Sequence, residues 1–201
     1  MMRPVQFVSI LAIAALLAAL SASAQAPRGD AARGQQLFQQ LKCVSCHSVG
    51  GVGGKVGPAL GAQPGQTYSP NTMVSGMWSH VTKMWEAMDK AGVPRPKISE
   101  QQAADLYAYF GGGRGSADKA GDAGQGRKVF EAKLCASCHD DAYLAPTLES
   151  QAGRVSAFSM VNGLWEHGGG MLSRMVSRNV NWQTLTPQEL GDVIAYLNAK
   201  K

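Results

Sequence analysis

Cys43-Val-Ser-Cys46-His47 and, ninety-two residues on, Cys135-Ala-Ser-Cys138-His139 hold all four cysteines and two of the four histidines of this 201-residue chain. One such string can arise by chance, but these two sit in matching surroundings. Gly34-Gln-Gln-Leu-Phe38 leads into the first motif and Gly126-Arg-Lys-Val-Phe130 into the second. Further on the offset becomes 87: Met73-Val-Ser-Gly-Met-Trp-Ser-His80 answers to Met160-Val-Asn-Gly-Leu-Trp-Glu-His167, and Asp105-Leu-Tyr-Ala-Tyr-Phe110 to Asp192-Val-Ile-Ala-Tyr-Leu197. The second copy is five residues shorter, mostly just after its cysteine motif, where a surface loop tolerates deletion.

The duplication predicts two domains, residues 30–112 and 123–201, joined by a glycine-rich linker at 113–122 that reads as a hinge. Domains of about 80 residues are marginal for an unaided hydrophobic core, so a staple is expected in each. Residues 31–42 and 123–134 read as short helices with Leu37/Phe38 and Val129/Phe130 on one face. Ser99 and Thr186 read as helix N-caps, the second in a capping box with Glu189. Alternation of the kind strands need is absent, and the expected fold class is all-α, twice over.

Composition narrows the function. With 45% hydrophobic and 16% charged residues the chain is no disordered polyelectrolyte. A net charge of +5 suggests nucleic acid, but no run of five Lys or Arg exists to track phosphates, so no nucleic-acid partner is expected. Arg3, the apolar stretch Val5–Leu20 and Ala22-Ser23-Ala24 predict a signal peptide at residues 1–24, cleaved before Gln25, and hence periplasmic localisation without stable membrane insertion. Loss of Arg3 from the 19 Lys and Arg leaves 18 against 14 acidic residues.

The C-x-x-C-H spacing is the haem c attachment signature. Two thiols about one helical turn apart reach the two vinyl groups on one porphyrin edge, and the adjacent His is set under the iron. A redox dithiol also suits an oxidising compartment, but it does not call for His at the next position twice. Zinc needs a fourth ligand nearby. Two covalently bound haems c would also supply the missing staples.

At these residues the chain resembles class I-like bacterial cytochromes c in tandem dihaem form. The resemblance rests on Gly34/Phe38, Cys43/Cys46/His47, Gly57-Pro58-Ala-Leu60 and Leu106-Tyr-Ala-Tyr109. In the second copy it rests on Gly126/Phe130, Cys135/Cys138/His139, Pro146-Thr-Leu148 and Val193-Ile-Ala-Tyr196. It implies thioether attachment at Cys43, Cys46, Cys135 and Cys138, with His47 and His139 as proximal ligands oriented by the carbonyls of Pro58 and Pro146. It also implies interhelix contacts of Phe38 with Tyr109 and of Phe130 with Tyr196.

The sixth ligand is less sharply marked. All seven methionines that follow the signal lie in 73–88 or 160–175. His80, Met84 and Met88 share one helical face, and His167, Met171 and Met175 repeat the arrangement. A methionine stripe is ordinarily core filler. The resemblance favours methionine, and Met84 and Met171 are taken as distal ligands, ahead of Met88/Met175 and His80/His167. Gly168-Gly169-Gly170 is expected to break the second helix before Met171, and Trp78 and Trp165 read as haem-pocket walls. The expected function is single-electron transfer between exported or membrane-bound redox partners, a membrane-bound oxidoreductase among them, with the chain acting alone or as the electron-transfer subunit of a larger complex. The alternative is a small haem enzyme with one open iron, a dihaem peroxidase or sulfur-compound dehydrogenase.

Overall fold

Among the described residues the chain forms seven helices: α1 (Ala31–Gln40), α2 (Pro70–Ala91), α3 (Glu100–Gly111), α4 (Ala123–Ala132), α5 (Ala136–His139), α6 (Ala157–Ser177) and α7 (Pro187–Ala199). This computed structural model describes residues 27–111, 115–148 and 151–200. The segment read as an export signal lies outside them. Among the described residues no helix is long and apolar enough to cross a membrane.

Helix starts follow local chemistry. Asp30 accepts from the Arg33 N–H (3.0 Å) to open α1, and Asp122 accepts from the Gln125 N–H (2.7 Å) to open α4. Thr186 and Glu189 exchange side-chain and backbone bonds in a capping box, and Ser99 does the same with Gln102.

α1 crosses α3, and α4 crosses α7, at glycine. A Cβ on Gly34 would lie 2.0 Å from the Asp105 carbonyl oxygen, and one on Gly126 1.8 Å from that of Asp192. No residue with a side chain fits either crossing. Beside them Phe38 meets Tyr109 at 5.7 Å between ring centroids, and Phe130 meets Tyr196 at 5.5 Å, the pairs the resemblance implied. A buried carboxylate pins each crossing. Asp105 accepts from the Asp30 N–H (2.7 Å), Arg33 Nε (3.1 Å) and Gln101 Nε2 (2.9 Å). Asp192 accepts from the Asp122 N–H (2.8 Å) and Gln188 Nε2 (2.9 Å). Burial pushes the Asp105 carboxyl up, but Arg33, the Asp30 N–H and Gln101 together hold it below the usual carboxylate range.

The two halves share a core. α2 packs on α6 and α7, and α6 packs on α3, in a reciprocal pattern. Phe38, Val74, Leu106 and Phe110 belong to the same buried cluster as Phe158, Val161 and Leu190. Polar bonds cross the same seam: Asn162 Nδ2 donates to the Ile98 carbonyl (3.0 Å) and the Leu185 N–H to Ser79 Oγ (3.2 Å).

Three expectations need correction. The stretch after the first motif is a small antiparallel hairpin, β1 (Ser48–Val49) and β2 (Val52–Gly53). Its signal is turn chemistry rather than alternation: Gly50 and Gly51 both take positive φ (+59° and +83°), as a tight two-residue turn requires. Next, α6 runs unbroken through Gly168–Gly170, because Gly168 is the slot that lets α6 approach α2: a Cβ there would lie 2.7 Å from Trp85 Cη2. Finally, the described part of the linker is no free hinge. The Ser116 N–H donates to the Tyr68 carbonyl (2.9 Å), and Asp118 accepts from the Asn71 N–H (2.9 Å).

Candidate functional site

Each cysteine motif follows a helix that ends on a left-handed residue. Lys42 and Leu134, immediately before Cys43 and Cys135, have φ of +62° and +61°. Such a conformation costs a side-chain-bearing residue roughly 1–2 kcal/mol, and its recurrence marks a turn the local fold imposes twice. The chain then winds one tight turn. The N–H groups of Cys46 and His47 both donate to the Cys43 carbonyl (3.2 and 2.9 Å), as those of Cys138 and His139 do to that of Cys135 (3.2 and 2.9 Å). Cysteines and histidine are thereby gathered at each motif.

The imidazoles are clamped from behind. His47 Nδ1 lies 2.8 Å from the Pro58 carbonyl oxygen and His139 Nδ1 3.0 Å from that of Pro146. A carbonyl only accepts, so the proton sits on Nδ1 and the lone pair is left on Nε2, the form a metal ligand needs. In the first copy the backbone lies flat against the ring: a Cβ on Gly57 would come within 2.5 Å of His47 Cε1. The Gly57 N–H donates to the Cys46 carbonyl (2.8 Å), tying the loop after the hairpin back to the motif. In the second copy Ala145 precedes Pro146, and a short turn from Asp141 brings the proline to the same task.

Burial pushes the Cys43 and Cys135 thiols up to about 11. Cys43 packs against the shared core, and Cys135 against Phe130, Val193 and Leu197. A redox dithiol or a zinc site works through thiolates, which these surroundings disfavour. A buried leading thiol, a preset imidazole Nε2 and an apolar wall fit a porphyrin joined by thioethers.

Residues 31–111 match the family model for cytochrome c. That segment is a cytochrome c domain. The match spans the first residue of α1 to the last of α3. No curated protein and no solved structure matches the chain significantly. The match supports an electron-transfer haem protein of the c type, and Cys43 and Cys46 are positioned as in the attachment motif of that family, whose haem c is covalently bound.

The residues proposed for the far side of the iron lie on the two long helices. His80 is exposed, with Nδ1 2.8 Å from the Gly76 carbonyl, and His167 is exposed beside Glu166 (3.8 Å). Met84 and Met88 are half-buried at the edge of the buried cluster formed by Val81, Trp85 and Leu164. Met171 and Met175 are half-buried on α6.

Sequence reasoning missed where the tryptophans meet. Trp78 and Trp165 join Trp85 and Trp182 in one cluster at the α2–α6 seam, with ring centroids 5.1 Å (Trp78–Trp182), 5.9 Å (Trp85–Trp182) and 6.2 Å (Trp85–Trp165) apart. The partners stand some eighty to a hundred residues apart in the chain, beyond the reach of any periodicity.

Proposed function

We propose that this chain is an exported dihaem cytochrome c that passes single electrons between redox protein partners. Haem c would be held at Cys43 and Cys46 and again at Cys135 and Cys138, with His47 and His139 as proximal ligands. The observation that carries the second haem is the repeated clamp: His139 is held by the Pro146 carbonyl as His47 is by that of Pro58, although the intervening loop is shorter. Met84 and Met171 are the proposed distal ligands, supported by their half-burial on corresponding turns of α2 and α6, whereas His80 and His167 are exposed.

Bound haem supplies one-electron iron chemistry, and methionine opposite histidine raises its potential relative to two histidines. The chain's own groups do the positioning. The proline carbonyls keep the proton on Nδ1 and fix the imidazole planes, and the apolar packing around Cys43 and Cys135 keeps water from the attachment side. Two methionine-capped irons would leave no open position for substrate, which supports a carrier over an enzyme. The partners, a membrane-bound oxidoreductase among them, and the periplasmic location belong to the same proposal.

The test is the absorption spectrum of the purified mature protein, oxidised and then reduced, with and without carbon monoxide, alongside its intact mass. Two haems per chain, the weak far-red band of methionine-ligated ferric haem and no response to carbon monoxide are expected. A mass corresponding to a single haem would refute the second site. Carbon monoxide binding would show an open iron and move the enzyme reading ahead.

A further inference from the structure

All four tryptophans of the chain meet at one place, between the helices that bear the two methionine stripes. Trp85 is 2% exposed and seats against Gly168 of α6. Trp78 Nε1 donates to the Gln183 carbonyl (2.8 Å), and Trp182 Nε1 returns a bond to the Trp78 carbonyl (2.8 Å). Trp165 Nε1 donates to Met77 Sδ (3.1 Å), so that sulfur is already engaged from the other half. Arg95 lies over the Trp85 ring, 5.0 Å from its centroid, and pairs with Asp89 (2.5 Å). Met84 and Met88 of α2 pack into this cluster, as does Leu172, the neighbour of Met171 on α6.

We propose that the tryptophan cluster is a shared positioning device: it seats the methionine-bearing helices of both redox sites, so the distal ligation of each site depends on the same core. The inference rests on the dihaem, methionine-ligated reading above. Its physical basis is that neither stripe is backed by its own half alone. Met84 and Met88 border a buried cluster in which Leu164 of the second half packs with Val81 and Trp85 of the first, and the turn of α6 at Gly168 that precedes Met171 rests on Trp85 from the first. Close-packed interfaces of this kind do not deform on one side only. Trp85 is therefore a positioning residue for an iron site in the half of the chain to which it does not belong.

The experiment uses the full mature holoprotein and two substitutions from opposite sides of the seam, Trp85→Leu and Gly168→Val, with Trp85→Phe as the conservative variant. Haem content is counted first, by mass. The far-red band of the oxidised protein is then compared with that of the parent, and denaturant unfolding is followed by far-ultraviolet circular dichroism. Since two equivalent haems contribute equally to the band, damage confined to one site removes no more than half of it. Trp85→Leu and Gly168→Val, each retaining two haems, are expected to lose more than half, while Trp85→Phe keeps most of it. Unfolding is expected to pass from one transition in the parent to two in Trp85→Leu. Loss of half the band or less in both disruptive variants, or a single transition with an unchanged midpoint, would overturn the inference. A parent with two haems and no far-red band would instead refute methionine ligation, and this inference would fall with it before any variant is made.

Discussion

Gly126→Ala adds one methyl group where α4 crosses α7, and the structure puts a size on the consequence. The new Cβ would lie 1.8 Å from the Asp192 carbonyl oxygen and 2.8 Å from Tyr196 Cβ. A carbon–oxygen contact needs about 3.3 Å, so the helices must part by about 1.5 Å. The obstacle is backbone, which no rotamer change removes. Overpacking of this kind costs roughly 1–3 kcal/mol, and a gap of even 0.5–1 Å at Phe130–Tyr196 forfeits about a quarter to a half of each dispersion contact. Against this, alanine gains about 1 kcal/mol over glycine inside a helix. With the lost dispersion added, the net loss comes to about 1–2 kcal/mol, or roughly 2–8 °C in Tm for a chain of this size. The control is Gly163→Ala in α6, where nothing lies within 4 Å of the added carbon. There only the propensity gain remains, and Tm is expected to rise by about 2–4 °C. Thermal melts of the two variants beside the parent decide the matter. Equal responses, whether both up or both down, would refute the reading of this crossing as a contact only glycine allows.

Three further outcomes follow from particular contacts. Trp78→Phe is expected to cost about 1 kcal/mol more than Trp85→Phe in urea unfolding, since the Trp78 N–H donates to Gln183 whereas the buried Trp85 N–H has no acceptor among the described residues. The Asp105 carboxyl is held below its ordinary value, so its contribution to stability is complete above the unfolded value of about 3.9 and is lost as pH falls through the lowered folded value. Asp105→Asn should accordingly show a shallower loss of Tm below about pH 4 than the parent, read from melts across that range. Leu134 is 48% exposed and holds φ at +61°. Leu134→Gly is expected to raise the urea midpoint, with a gain of about 1 kcal/mol, and Leu134→Val to lower it by as much.

Local and repeated features were legible in the sequence. The helix starts at Asp30 and Asp122 bracket the forecast segments, the Thr186–Glu189 box is where its spacing put it, and both aromatic pairs at the helix crossings were drawn from repeated positions. The hairpin went unread because two residues per strand carry no alternation, and its evidence lies in the Gly50-Gly51 turn alone. The glycine run in α6 was read through intrinsic propensity, which tertiary packing overrode at Gly168. The tryptophan seam had no signal of its own. Each ring looks like an ordinary apolar residue on its helix, and only the fold shows that residues such as Trp78 and Trp182 share a neighbourhood.

The slot at Gly168 bears on symmetry. By the offset of 87, Gly168 corresponds to Val81 and Leu172 to Trp85, so the large–small pair Trp85–Gly168 has as its mirror image the pair Leu172–Val81. Two identical chains meeting across a twofold axis cannot hold such an arrangement, since every bulky residue would be presented twice and every slot would have to exist twice. Writing both partners into one polypeptide removes that requirement and lets each side specialise. The two long helices are therefore not interchangeable: the chain itself settles which of them brings the bulk and which the slot, a choice no symmetric pairing can make.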